Sequence, residues 1–172
     1  MTLVVAVEHP RGVVLGCDSF AGDDDLRDTT DGPKWVALDA HTVVAYAGSF
    51  ALGRVLEHGP RPPVRRARER VDRYVYRLAV AVWAAAHAAG IPRDEGELLL
   101  AHGGRVWVDS GGGSTVRSGH GYAAIGSGTA PALAALAVTA GDEDPERRVR
   151  AVLAAVARHH QQVCAPWWVV KV

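Results

Sequence analysis

Three residues in the first part of the chain carry side chains that could act on one substrate together. They are Thr2, Asp18 in the run Gly16-Cys17-Asp18-Ser19, and Lys34 in Gly32-Pro33-Lys34-Trp35. If Met1 is removed, Thr2 becomes the first residue and carries both a hydroxyl and a free α-amine. A hydroxyl attacks poorly until a base takes its proton, and an amine on the same residue can be that base. An α-amine has an ordinary pKa of about 7.7–8.0, so part of it is neutral at physiological pH. A lysine cation nearby lowers that value, and a carboxylate holds the lysine in place. Taken singly, each has a plain structural role: a strand-end threonine, an Asx-type turn, a solvated lysine at a strand edge. Together they form one chemically complete set.

The elements around these residues follow from pattern. Leu3-Val4-Val5-Ala6-Val7 is apolar on both faces, as for a strand between two layers. Glu8–Gly12 reads as a turn and Val13–Cys17 as the returning strand, a hairpin that brings Asp18 beside Thr2. Phe20–Gly32 reads as a polar loop holding Asp23-Asp24-Asp25, which lacks the rest of a calcium loop. Trp35–Leu38 and Thr42–Tyr46 form a second hairpin with Lys34 at its start. A helix is expected from near Ser49 to His58-Gly59, stopped by Pro60, Pro62 and Pro63. A long helix is expected from about Val64 to Ala89, basic in its first half, and Gly90-Ile91-Pro92 ends it. Strands follow at Glu97–His102, Arg105–Asp109 and roughly His120–Ile125, with Gly111-Gly112-Gly113 as a hairpin tip. Thr129–Thr139 reads as an alanine-rich helix. Asp144-Pro145-Glu146 caps an amphipathic helix to about His160, with Val149, Val152, Leu153 and Val156 on one face. Trp167–Lys171 closes as a strand. Strands, two helices, strands, two helices and a strand suit an α+β chain in which two antiparallel sheets pack face to face under helix pairs.

The spacing resembles the N-terminal-nucleophile (Ntn) hydrolases of the proteasome β-subunit and bacterial HslV type. Thr2 to Asp18 is sixteen positions and Asp18 to Lys34 is sixteen more. Ala47-Gly48 and Gly126-Ser127-Gly128 match two further family positions. The resemblance implies a four-layer αββα sandwich and a threonine-type peptidase. Thr2 would be the nucleophile, Asp18 and Lys34 the tuning pair, Gly48 the oxyanion donor, and Ser127 a residue near the amine. It places Ala21, Gly22, Tyr46 and Phe50 along the substrate groove, with Tyr46 shortening the pocket toward small or apolar side chains. The chemistry needs no metal or organic cofactor. The resemblance also implies a homo-oligomeric ring, an ATPase unfoldase as a possible partner, and a peptide or unfolded protein as substrate. The family often has an Asp followed by a Ser before its last strand; here Gln161-Gln162-Val163-Cys164-Ala165-Pro166 carries no acid. Two alternatives stay open: a small-molecule amide hydrolase on the same scaffold, and a catalytically silent ring or scaffold protein.

At 172 residues the length suits one domain over 1–172. A net charge of zero gives no argument for nucleic acid. Arg61, Arg65, Arg66, Arg68, Arg70, Arg73 and Arg77 make one stretch basic, but Glu69 and Asp72 interrupt it and no aromatics interleave for base stacking. The start lacks a basic region and its apolar run is broken by Glu8-His9-Pro10, unlike a signal peptide. The apolar run Leu78–Ala89 is too short to span a bilayer. Two cysteines, Cys17 and Cys164, suit buried packing in a reducing cytoplasm rather than a disulfide framework. His159-His160 has no partner at metal-ligand spacing.

Overall fold

A computed structural model describes residues 2–22, 27–111 and 114–172. Its elements run β1 Leu3–His9, β2 Gly12–Cys17, β3 Phe20–Gly22, β4 Arg27–Thr29, β5 Trp35–Asp39, β6 Thr42–Gly48, α1 Phe50–His58 and α2 Val71–Ala88. A 3₁₀ turn Arg93–Glu95 leads to β7 Gly96–His102, β8 Arg105–Asp109, β9 Thr115–Arg117, β10 Tyr122–Gly126, α3 Thr129–Val138, α4 Pro145–Ala157 and β11 Trp168–Lys171. The described chain is therefore α+β, with antiparallel sheets and four α-helices.

Two sheets carry the architecture. One has the order β10-β1-β2-β11 and the other β5-β6-β7-β8-β9, while β3 and β4 pair as a small ribbon. Side chains alternate along each strand, so each sheet offers two faces. Val4, Ala6, Val13 and Leu15 of the first sheet meet Val43, Ala45, Leu99 and Ala101 of the second in one core. The opposite face of the first sheet, with Leu3, Val5 and Val14, packs on Leu136, Val149, Val152 and Leu153 of α3 and α4. The opposite face of the second, with Val44, Tyr46, Leu98 and Leu100, packs on α1 and α2 through Leu52, Tyr74, Leu78 and Trp83. Each Val or Leu fully buried in these cores contributes roughly 1.5–3 kcal/mol relative to exposure. The doubly apolar pattern of β1 has this cause: one face meets helices and the other meets a sheet.

Local signals set the helix ends. Ser49 caps α1 by accepting from the N–H of Ala51, and Asp144 caps α4 by accepting from Glu146 and Arg147 with Pro145 in the first turn. The expected apolar face of α4 is the buried one: Val149, Val152, Leu153 and Val156 all face the core.

Three expectations are corrected. The long helix begins at Val71 rather than Val64. Arg68 adopts φ 71°, a left-handed geometry no helix continues through. Around it Arg65 donates to the Glu69 carbonyl, and the Glu69 carboxylate accepts from the Arg66 N–H and from the Arg77 side chain. Most of the basic stretch therefore precedes the helix. The stretch Phe20–Gly32 is not simply a loop, since β3 pairs with β4 there. A strand, β9, follows the glycine run and pairs with β8. Asp23, Asp24 and Asp25, with Gly112 and Gly113, lie outside the described residues. Among the described helices none is long and apolar enough to cross a membrane.

Candidate active site

The β1–β2 ladder, with Val4 opposite Cys17, runs on to place Asp18 against Leu3. There the Asp18 N–H donates to the Leu3 carbonyl at 3.1 Å, and Asp18 Oδ1 accepts from the Leu3 N–H at 2.9 Å. Asp18 Oδ2 takes the N–H of Phe20 at 3.0 Å. Lys34 enters from the start of β5. Its Nζ donates to Asp18 Oδ1 at 2.7 Å and to the Phe20 carbonyl at 2.8 Å. Both side chains are wholly buried. A buried ion pair is costly to desolvate, and these additional hydrogen bonds offset that cost. The Phe50 ring lies 5.9 Å from Lys34 Nζ. The Cys17 Sγ accepts from the Lys34 backbone N–H at 3.3 Å. Burial pushes the Cys17 thiol up to about 12, so it is no thiolate near neutrality. Cys17 and Cys164 are both free and buried.

Thr2 is 2% exposed and shares the alternation of Val4 and Ala6, which face the space between the sheets. Its carbonyl accepts from the Ser127 N–H at 2.9 Å, with the Ser127 hydroxyl more distant at 3.5 Å. Gly126 has φ 99°, and a Cβ there would stand 1.9 Å from the Thr2 carbonyl oxygen. Only glycine allows that approach. Gly48 is similar: at φ 96° an added Cβ would meet the Glu95 carbonyl oxygen at 2.2 Å. Ser127 is not the cap of α3, which is Gly128.

Thr2, Gly48 and Ser127 line one cavity of about 390 Å³, together with Asp94, Glu95 and Glu97. Ala21, Tyr46 and Phe50 line a second of about 310 Å³, where Asp31, Arg54 and Glu57 add charge. Gly22 sits in β3 opposite Arg27 and is not part of either wall. Tyr46 is 7% exposed; burial, with Glu57 adding, raises its phenol to about 12. Asp18 and Lys34 line neither cavity. The sequence-derived set thus divides into a cavity with the nucleophile candidate, a side-chain pocket, and a wholly buried pair that lines neither.

Three residues join the site that sequence reasoning missed. Ser19 holds the segment before β11: its N–H donates to the Cys164 carbonyl at 3.0 Å and its hydroxyl to the Pro166 carbonyl at 2.6 Å. His160 Nε2 meets the Ser127 carbonyl at 3.1 Å. Glu97 Oε2 accepts from the Gly126 N–H at 2.7 Å. A signal for Glu97 existed, since it shares the alternation of Leu99 and Ala101 and is the one charged residue on that side of β7. Among the described residues no cluster of His, Cys, Asp and Glu could hold a metal ion.

No family model matches the sequence, and no curated protein does. Solved structures do match in fold. BPH from Thiobacillus denitrificans superposes with a TM-score of 0.80 at 16% identity, covering 99% of this chain and 98% of that one. HslV from Trypanosoma brucei gives 0.71 at 19% identity, with 98% of each chain covered. The Gly-1 mutant of Anbu from Hyphomicrobium sp. strain MC1 gives 0.76 at 16% identity, covering all of this chain and 81% of that one. The chain has the fold of these proteins along its whole length.

Proposed function

We propose that this chain is a threonine-type peptidase of the proteasome-like kind, a single-domain four-layer αββα sandwich whose nucleophile is Thr2 once Met1 is removed. The observation that carries the reading is the 2.7 Å Lys34–Asp18 pair, fully buried and bonded to the Leu3 N–H directly beside Thr2. A buried lysine held there has a use if the adjacent residue is a base whose proton affinity must be tuned. The fold shared with HslV and BPH supports the same assignment.

In this mechanism Thr2 Oγ attacks a peptide carbonyl while its own α-amine takes the hydroxyl proton. The carbonyl π pair moves onto oxygen, where the Gly48 N–H stabilises it; loss of such a donor typically costs about 3–4 kcal/mol of barrier. The ammonium then returns the proton to the leaving amine as the C–N bond breaks. Water, deprotonated by the freed amine, releases the acyl group. Ser127 holds the Thr2 backbone, and Ala21, Tyr46 and Phe50 receive the substrate side chain, Tyr46 favouring small or apolar ones. Gly22 ends β3, next in the chain to the pocket residue Ala21. The chain works as a soluble cytoplasmic homo-oligomeric ring, with an ATPase unfoldase as candidate partner and unfolded protein as substrate.

The test is the intact mass of the natively expressed protein before and after treatment with epoxomicin, the molecule bound in the BPH complex, alongside a Thr2→Ala control. Loss of Met1 with a Thr2-dependent adduct is the expected result. Retention of Met1 with no adduct overturns the reading.

A further inference from the structure

The site contains a carboxylate that the mechanism above leaves unused. Glu97 projects from β7 toward the space between the sheets, on the side where Leu99 and Ala101 meet Val4 and Ala6. It is only partly exposed, and a charge held among apolar side chains is costly without a partner. That partner comes from the opposite sheet: Oε2 accepts the Gly126 N–H at 2.7 Å. Gly126 is the residue whose α-carbon abuts the Thr2 carbonyl, and its successor Ser127 donates to that carbonyl. Among the described residues Glu97 Oε1 has no hydrogen-bond partner, and the residue lines the same cavity as Thr2.

We propose that Glu97 is a positioning residue for Thr2, bracing the Gly126–Ser127 turn and supplying the negative charge that keeps the terminal amine basic. The inference rests on the reading of Thr2 as an N-terminal nucleophile. The stretch Gln161–Pro166 brings no acid to the site. Asp18 is already committed to Lys34 at 2.7 Å and to the N–H groups of Leu3 and Phe20. Of the remaining charged or titratable groups around the cavity, Asp94 and Glu95 on the 3₁₀ turn are exposed, and His160 is engaged with the Ser127 carbonyl. Glu97 is the acid tied directly to Thr2's neighbours. A carboxylate beside an amine favours its protonated form and raises its pKa, opposing any lowering by Lys34. An amine kept near the working pH is the more effective acceptor of the Oγ proton. Glu97 itself takes no proton in the step.

The experiment uses the full chain released from a cleavable fusion partner so that Thr2 is the first residue, as wild type, Glu97→Gln and Glu97→Asp. The rate of acetylation of the Thr2 amine by acetic anhydride is followed against pH from the mass of the N-terminal peptide. Gln keeps an oxygen for the Gly126 N–H but removes the charge, so its titration midpoint falls by about one unit. Asp keeps the charge, so its midpoint stays nearer the wild type. A midpoint unchanged in Glu97→Gln, or lowered equally in Glu97→Asp, overturns the charge role. Should Glu97→Gln fail to fold, Glu97→Asp against wild type decides alone, a fallen midpoint overturning the proposal. The measurement needs no turnover, so failure of the peptidase reading, seen as no epoxomicin adduct, is distinct from failure here.

Discussion

Removing the Lys34 cation while keeping its aliphatic stem tests whether the buried pair holds the site together. In Lys34→Met the carbon chain still packs beneath Phe50, but Asp18 is left as a buried anion. Breaking a buried pair from one side typically costs about 3–5 kcal/mol. Asp18 retains two backbone donors, the N–H groups of Leu3 and Phe20, which places the loss near the bottom of that range, about 3 kcal/mol. With a urea slope of about 2 kcal/mol/M, the midpoint falls by about 1.5 M. The five tryptophans provide the fluorescence signal, and protomer concentration is held fixed so that any association does not alter the comparison. The paired variant Asp18→Asn with Lys34→Met removes both charges, and it regains at least half of the loss because no uncompensated ion remains. A Lys34→Met variant within about 0.5 kcal/mol of wild type, or a double variant equal to the sum of the singles, would falsify the description of these residues as one coupled unit.

Other sites give independent outcomes. Gly48→Ala forces a Cβ to 2.2 Å from the Glu95 carbonyl at φ 96°; it destabilises by about 1–3 kcal/mol and slows epoxomicin labelling, measured by chemical denaturation and by adduct formation over time. The Glu69 carboxyl is held down to about 2, first by the Arg77 side chain and then by the Arg66 N–H. Since the folded value lies below the ordinary one, this pair stabilises the fold above about pH 4.5 and loses its contribution as the pH falls toward 2. A Glu69→Gln variant therefore shows a shallower fall in melting temperature across that window, and an identical profile would count against the assignment.

Much of the site was legible because it depends on short-range spacing. The Thr2–Asp18 interval spans one hairpin, whose register brings the two together, whereas Lys34 is placed by the resemblance in spacing, since the intervening Phe20–Gly32 reads as a loop. Strand faces, caps and the α4 stripe were legible for the same reason, as local periodicity. What escaped depends on contacts between distant segments. Val64–Arg70 reads as helix by composition, yet Glu69 spends its hydrogen-bonding capacity on Arg65, Arg66 and Arg77 and holds a turn instead. Thr115–Arg117 is too short and polar to announce a strand and exists because β8 offers an edge. Glu97 shows in the sequence only as a lone charge among the apolar residues of its strand face, and it acquires a role only where the first sheet brings Gly126 against it.

The hydrogen bonds that seat Thr2 are made by its carbonyl oxygen and by the N–H of Leu3. Neither atom belongs to the peptide bond that precedes Thr2. Cutting that bond leaves the seat chemically unaltered, so the scaffold can form in full while the amine is still masked. On the proposed reading of Thr2, folding and the unmasking of its amine are then separable events.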